Sequence, residues 1–308
     1  MADLSLIKKL REATNCGIAD CNKALKECAD DFEKAVDWLR KKGLSSASKK
    51  TGRVTAEGVV GAYISDAGNK GAVIEVNSET DFVARNEKFQ QFVQNILKIA
   101  FEYKGNIENL KAANYPDASI TIEEELKNQI SVIGENINIR RSDSLQVSQG
   151  AVVSYIHNSI ADNLGKIAVL VAFESDIDSQ KLQEFGKQIA MHIAAAKPES
   201  LDIASLDEEK IKRETEILKA QARNSGKPEN IIEKMIEGRI RKYYEEVVLL
   251  EQFFVINDKV KIKDVVADFA KQQGGKVAIK GFKLYVLGEG IEKKEDDFAA
   301  EVASMTKN

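Results

Sequence analysis

The spacing of apolar residues predicts three short helices in residues 1–44. In the third helix, Phe32 and Leu39 stand seven residues apart, an interval that places them on one helical face. Gly43 is expected to end this helix, because glycine is common just past a helix C-terminus. The small, polar and basic residues that follow, 45–53, are typical of a linker.

The next part of the chain changes to strand-like apolar runs. Val59–Ile64 and Gly71–Val76 flank a turn rich in Asp, Asn and Gly, which is typical of a β-hairpin. A helix with an apolar face follows, then a helix over Ile122–Ile133 that Gly134 ends, and then a further strand. Residues 54–149 are therefore predicted to form an α+β subdomain.

The same order of elements recurs later in the chain, which indicates a duplicated α+β unit. The predicted hairpin strands are Ala151–Ile156 and Lys166–Phe173. The first helix is predicted at Gln180–Ala196, the second helix at Val260–Lys271 and the last strand at Val277–Val286. This second subdomain is assigned residues 150–200 and 247–287. The fold class is accordingly α+β, with small antiparallel sheets.

Residues 201–246 interrupt the second unit with two charged helices. Each helix carries a narrow apolar stripe, such as Ile211 and Leu218 seven residues apart. Narrow stripes favour an antiparallel coiled coil within the chain. The alternative is a stripe that faces another molecule, either a partner or a second copy, so homodimerisation through this insertion stays open.

Charge and cysteine usage narrow the class of protein. The chain has 45 basic and 49 acidic residues, a net charge of −4, which argues against a dominant nucleic-acid surface. No apolar run approaches the roughly 20 residues needed to span a membrane. The three cysteines, Cys16, Cys21 and Cys28, have neither disulfide-framework nor zinc-site spacing. A reducing cytoplasmic location is therefore expected.

Searches for catalytic and cofactor motifs fail. Neither Gly165-Lys166 nor Gly275-Lys276 has the upstream glycine and the following Ser or Thr of a phosphate-binding loop. No nucleophile and base stand in a recognisable pattern, so an enzyme is not expected, and neither is a cofactor or metal. His192 is interpreted as a packed or surface histidine. His157, at the end of a strand, either covers the sheet edge or contacts a partner.

The most informative segment is the junction at Asp81 and Phe82, where the polar turn after a predicted strand meets the start of the next helix. An aromatic ring beside an acid is unusual there, because turns favour small polar residues. Binding and catalytic residues are often found on loops that a rigid scaffold holds in place. The structural alternative is that Asp81 caps the next helix, since Ser78-x-x-Asp81 partly resembles a capping box. Phe82 would then be an ordinary core residue.

Several motifs, in order along nearly the whole chain, resemble those of the elongation factor Ts family. They are TNCGIADCNKAL (14–25), ETDFVARNEKF (79–89), IGENINIRR (133–141), MHIAAAKPE (191–199), SGKP with IEKMIEGRI (225–240) and GEGIEKKEDDFAAEVA (288–303). The resemblance implies an N-terminal ubiquitin-associated-like domain, two similar α+β subdomains, a coiled-coil insertion and a short C-terminal helical module at 288–308.

The resemblance also implies a function: guanine nucleotide exchange on elongation factor Tu. The residues matching Thr80, Asp81, Phe82 and Val83 would approach the magnesium site of Tu, and the aromatic ring would wedge between its side chains. Further partner contacts are implied at Ile18, Ala19, His157, Val255 and Ile256. The alternative function is a peptide- or protein-binding module that uses only the N-terminal three-helix domain, which would leave the rest of the chain unexplained.

Overall fold

In the computed structural model of the chain, residues 3–14, 16–223 and 229–292 are described. The N-terminal part is a bundle of three helices around a small apolar core that includes Leu10, Cys21 and Leu25. The helices are α1 (Leu4–Thr14), α2 (Ile18–Glu27) and α3 (Phe32–Ser48).

The third helix is longer than predicted. Gly43 does not end α3, which continues to Ser48, so the first residues of the predicted linker 45–53 are helical. An interior glycine costs a helix only about 1 kcal/mol relative to alanine, and packing can offset this cost. Gly43 is buried and lies against Ser131, so its lack of a side chain serves a contact rather than a helix end.

A four-stranded antiparallel sheet follows, in the order β3-β2-β1-β5. Its strands are β1 (Glu57–Ile64), β2 (Lys70–Ser78), β3 (Ile137–Gln146) and β5 (Leu164–Gly165). Helices α4 (Asp81–Ala84), α5 (Glu87–Ala100), α6 (Ile107–Ala112) and α7 (Ile122–Ile133) connect β2 to β3. Phe89, Phe92 and Ile96 of α5 fill the core between helices and sheet. The predicted hairpin and the helix ended by Gly134 are confirmed.

A second sheet has the order β4-β6-β9 and is also antiparallel. Its strands are β4 (Gly150–His157), β6 (Ile167–Ser175) and β9 (Val277–Val286). The helices α8 (Ser179–Ala196) and α11 (Ile262–Gln273) and the strands β7 (Phe253–Phe254) and β8 (Asn257–Lys261) complete this part. Its core includes Phe173, Phe185 and Ile189.

The two sheets pack face to face, with helices on their outer sides. Val60, Val73, Val152 and Leu170 belong to a separate core between the sheets. The sheets approach closely at Gly71, where an added Cβ would lie 3.0 Å from Val152 Cγ1. Strand β2 is therefore covered on both faces, which accounts for its nearly continuous burial.

The two sheets repeat the same arrangement. In each, a hairpin is followed by helices and then by a strand that pairs with the second hairpin strand. Gly58 and Gly150, near the start of each hairpin, both have positive φ, at 119° and 114°. A register shift also interrupts the β2–β3 and β6–β9 pairings alike. This correspondence supports the duplicated unit; the subdomain limits remain a prediction.

Between α8 and β7, the chain forms two long helices, α9 (Glu208–Arg223) and α10 (Glu229–Val247). They pack against each other, and Arg239 Nη1 donates to Gln221 Oε1 at 2.8 Å. Leu218 and Ile232 are buried between them. The predicted break at 224–228 lies outside the described residues, as do residues 293–308 of the predicted C-terminal helical module.

A buried carboxylate ties the two sheets together. Glu75 of β2 is fully buried and accepts hydrogen bonds from Arg140 and Arg141 of β3 and from the Gly288 N–H. Burial alone would raise the pKa of Glu75, but the hydrogen bonds and the Arg141 charge outweigh burial and lower it. Since Gly288 follows β9, this network joins the first sheet to the end of the second.

Candidate protein-binding surface

The junction after β2 presents Phe82 to solvent. Phe82 is 77% exposed on the short helix α4, while its neighbours Val83 and Ala84 are buried in the core between α5 and the first sheet. The alternative of Phe82 as a core residue is therefore wrong. A large exposed aromatic ring held by buried neighbours is suited to contact another molecule.

The capping alternative for Asp81 is also wrong. Asp81 is the first residue of α4 and not the residue before it, and Thr80, which precedes α4, makes no side-chain capping hydrogen bond. Ser78 Oγ instead donates to the Thr80 carbonyl at 2.9 Å. The Asp81 carboxylate lies 3.5 Å from Arg85 Nη2, with both side chains substantially exposed, so this pair contributes little to stability. Asp81 is accessible beside Phe82.

A carboxylate distant in sequence holds this junction in place. Glu135 accepts hydrogen bonds from the Thr80 N–H at 2.9 Å and from Thr80 Oγ1 at 2.7 Å. On the other side of α4, Asn86 caps α5 by accepting from the N–H groups of Lys88 and Phe89. Gln90 Nε2 also donates to the Ala84 carbonyl. Phe82 is thus exposed on a segment fixed at both ends.

A second exposed apolar point lies in the turn between β7 and β8. Val255 and Ile256 are 51% and 60% exposed, whereas Phe254 just before them is buried. His192, buried on α8, lies behind this turn, and its ring is near that of Phe254. The turn therefore carries exposed apolar side chains on a buried support.

The neutral ring of His192 forms hydrogen bonds with Val255 and with Gln252. Its Nδ1 accepts from the Val255 N–H at 3.3 Å, and its Nε2 lies 2.9 Å from Gln252 Oε1, which fits a proton on Nε2. Burial lowers the pKa of His192, and the Gln252 hydrogen bond opposes this shift only in part. The sequence interpretation of a packed histidine is confirmed; its contact with the turn is new.

His157 lies at the exposed end of β4, where Tyr155 Oη is 3.0 Å from its Nδ1. The loop that follows packs Ile160 and Ala161 against the same core as Val83. Gln94 of α5 also donates to the Asp162 carbonyl. His157 and Phe82 are therefore mounted on segments that share one core, although His157 belongs to the second sheet.

The remaining predicted contact residues, Ile18 and Ala19, are exposed at the start of α2 in the N-terminal bundle. Ile18 is 57% exposed. The predicted site residues thus do not converge on one pocket; they lie at separate surface points on three apolar cores. Sequence analysis missed Glu135 because it stands 55 residues from Thr80, and no local pattern joins the two.

Among the described ranges 3–14, 16–223 and 229–292, no group of three or more His, Cys, Asp or Glu side chains could hold a metal ion. Within the same ranges, no helix has the length and apolar character needed to cross a membrane. An α+β scaffold that holds apolar side chains at separate exposed points is suited to contact a partner at several places.

Comparison with known proteins identifies the kind of factor. A sequence model of the family described as "Elongation factor TS" matches residues 79–289. Elongation factor Ts of Rhodospirillum centenum is 56% identical over 307 residues, covering 99% of each chain. The Rhodospirillum rubrum protein of the same name is 53% identical over 310 residues, covering 100% of both. The chain belongs to the elongation factor Ts family, whose members are translation elongation factors.

Proposed function

We propose that this chain binds elongation factor Tu carrying GDP and accelerates GDP release by disturbing the magnesium and phosphate end of its nucleotide site. Family membership supports the partner and the reaction. The observation that carries the mechanism is the 77% exposure of Phe82 beside accessible Asp81 on a firmly held helix. A side chain that must enter another protein has to be exposed before it binds.

The physical basis of exchange is coupling between two binding equilibria. Magnesium neutralises nucleotide phosphates and bridges them to the protein. An aromatic ring wedged near that ion, with Asp81 beside it, would disturb the groups around the ion and weaken nucleotide binding. Coupling is reciprocal, so GDP must weaken binding of this chain to Tu by the same factor.

One contact is insufficient for strong exchange. Each tenfold change in affinity requires about 1.4 kcal/mol, so a change of several orders needs several contacts acting together. We assign Thr80, Asp81, Phe82 and Val83 to the nucleotide-release segment. Ile18, Ala19, His157, Val255 and Ile256 would supply further binding energy. The two packed sheets would keep the release segment, His157 and the Val255–Ile256 turn in fixed relative positions.

The direct test is catalytic turnover of nucleotide exchange. Purified Tu is loaded with fluorescent GDP and mixed with excess unlabelled GDP and substoichiometric amounts of this chain. We expect the release rate to rise in proportion to the chain's concentration, with each molecule acting on many Tu molecules. A release rate independent of the chain, in a mixture where the two proteins bind, would rule out exchange and leave only binding.

A further inference from the structure

The N-terminal bundle meets the rest of the molecule through two helices, α3 and α7. Arg40 Nη2 of α3 donates to Glu124 Oε1 of α7 at 2.5 Å. The other carboxylate oxygen of Glu124 accepts from the Thr121 N–H in the capping box of α7. Arg40 therefore binds a carboxylate that is already fixed by its own helix.

Gly43 forms the second contact, one turn further along α3. A Cβ built on Gly43 would lie 3.0 Å from Ser131 Oγ and 3.2 Å from Ser131 Cβ. These distances are shorter than ordinary side-chain contacts, so the two helices approach closely because Gly43 has no side chain. Arg40 and Gly43 share one face of α3, as residues three apart do.

The rest of this junction is loosely filled. A cleft of about 430 Å³ opens beside the contact, lined by groups such as Thr14, Val36, Lys88 and Asn128. The Arg40 and Glu124 side chains are 46% and 38% exposed, and exposed ion pairs contribute little. The close contact between Gly43 and Ser131 is therefore the feature that best defines the position of the N-terminal bundle relative to α7.

We propose that Arg40 and Gly43 on α3, with Glu124 and Ser131 on α7, form a seat that positions the N-terminal bundle for partner binding. The seat holds Ile18 at a set distance from Phe82. This inference rests on the proposed function, because both points would bind the same Tu molecule. Two linked contacts bind more tightly when their separation matches the partner, since the second contact then forms at high effective concentration.

A pair of glycine substitutions tests the seat. Gly43→Leu replaces an interior helix glycine by a better helix former. Its Cβ alone would lie 3.0 Å from Ser131 Oγ, so Ser131 or the two helices must shift to admit the larger side chain. Gly238→Leu is the matched control, because Gly238 lies within α10 and an added Cβ there meets nothing within 4 Å. Small-angle X-ray scattering of the free proteins measures docking without any partner. We expect a larger radius of gyration for Gly43→Leu and no change for Gly238→Leu.

The same variants are then assayed for binding and GDP release with Tu. We expect Gly43→Leu to raise the concentration of chain needed for half-maximal release on the order of tenfold, with Gly238→Leu as wild type. The milder Gly43→Ala should show a smaller loss that Ser131→Gly restores, because removing the serine side chain reopens the space.

An unchanged radius for Gly43→Leu would show that Gly43 does not set docking and would overturn the seat. A larger radius with wild-type binding to Tu would overturn its role in positioning. If the wild-type chain itself fails to accelerate GDP release, the proposed function fails, and the positioning role fails with it. The scattering result separates these cases, because it reports docking whether or not exchange occurs.

Discussion

Phe82 and the Val255–Ile256 turn present apolar side chains to solvent in the same way but on different supports. In both places an exposed apolar residue stands directly beside a buried one, Val83 in the first case and Phe254 in the second. The buried neighbour fixes the backbone, so the exposed side chain is held ready without being part of the core. Short elements achieve this arrangement because adjacent side chains point in different directions.

The supports differ in charge. The Phe82 segment is held by the Glu135 carboxylate, whereas the Val255–Ile256 turn is held by the neutral ring of His192. The first support is a carboxylate that accepts two hydrogen bonds from Thr80. The second is a base that must stay unprotonated, because protonated Nδ1 would face the Val255 N–H. The comparison therefore predicts different responses of the two surfaces to mutation and to pH.

The largest expected difference lies between neighbours in the second surface. Phe254→Ala should lower the free energy of unfolding by about 3–5 kcal/mol, because it removes a buried ring. Val255→Ala should change it by less than about 0.5 kcal/mol, since this side chain is mostly exposed. Denaturant unfolding of both variants measures the contrast. Equal losses of unfolding free energy in the two variants would show that Val255 contributes to the folded core as Phe254 does.

The first surface should show the same contrast on a smaller scale. Val83→Ala removes two buried methyl groups and should cost about 2 kcal/mol of unfolding free energy. Phe82→Ala should leave the unfolding free energy within about 0.5 kcal/mol of wild type. Denaturant unfolding again provides the measurement. A destabilised Phe82→Ala protein would mean that the ring packs on the chain in solution.

Glu135→Gln tests the charged support of the first surface. The amide oxygen can accept from one Thr80 donor only, so the Thr80 hydroxyl must turn to accept from the amide NH2. Two hydrogen bonds to a carboxylate become weaker neutral ones, at a cost of about 1 kcal/mol. We expect reduced GDP release on Tu, because α4 is then less firmly held. Glu123→Gln is the control, since Glu123 forms an exposed ion pair with Lys127. Equal GDP-release activity of the two variants would show that Glu135 does not support the function of α4.

The smallest expected effect is the pH dependence of the second surface. The pKa of His192 in the folded chain lies below its unfolded value of about 6.5. Its neutral form therefore contributes stability above about pH 6.5, and this contribution is lost as the pH falls toward the folded pKa. The slope for this one proton cannot exceed about 1.4 kcal/mol per pH unit.

Unfolding free energies of wild type and His192→Gln, measured from pH 7.5 to 5.5, test this prediction. We expect wild type to lose more stability than the variant over the acid half of this range, because only wild type must take up a proton on unfolding. Parallel curves would show that His192 has the same pKa in the folded and the unfolded chain. The solvent exposure of Phe82 should not change with the protonation of His192.

Much of the fold follows from the apolar pattern because the pattern is local. The helix predicted at about Ile122–Ile133 and its end at Gly134 agree with the structure, since the capping residues lie beside the apolar face. The packing of the sheets against each other was not predicted. Apolar spacing shows that Gly71 and its neighbours belong to a strand but not which second surface covers them.

The exposed residues of the candidate site could be predicted from the sequence, whereas the residues that support them could not, because the sequence pattern is local. Asp81 and Phe82 stand out in sequence, because a ring beside an acid is visible in adjacent residues. Glu135 and His192, which support the exposed points, become recognisable only when the fold brings them to Thr80 and Val255. Gly43 was misinterpreted as a helix end because its contact, Ser131, lies on another element.

The central claim is that Phe82, with Asp81, drives nucleotide release from Tu. The most direct measurement is the rate of fluorescent GDP release at saturating concentrations of Asp81→Ala, Phe82→Ala and wild-type chain, where differences in affinity no longer matter. We predict that both variants bind Tu and that their maximal release rates fall, by roughly tenfold or more for Phe82→Ala, equivalent to about 1.4 kcal/mol. Wild-type maximal rates in both variants would contradict the claim.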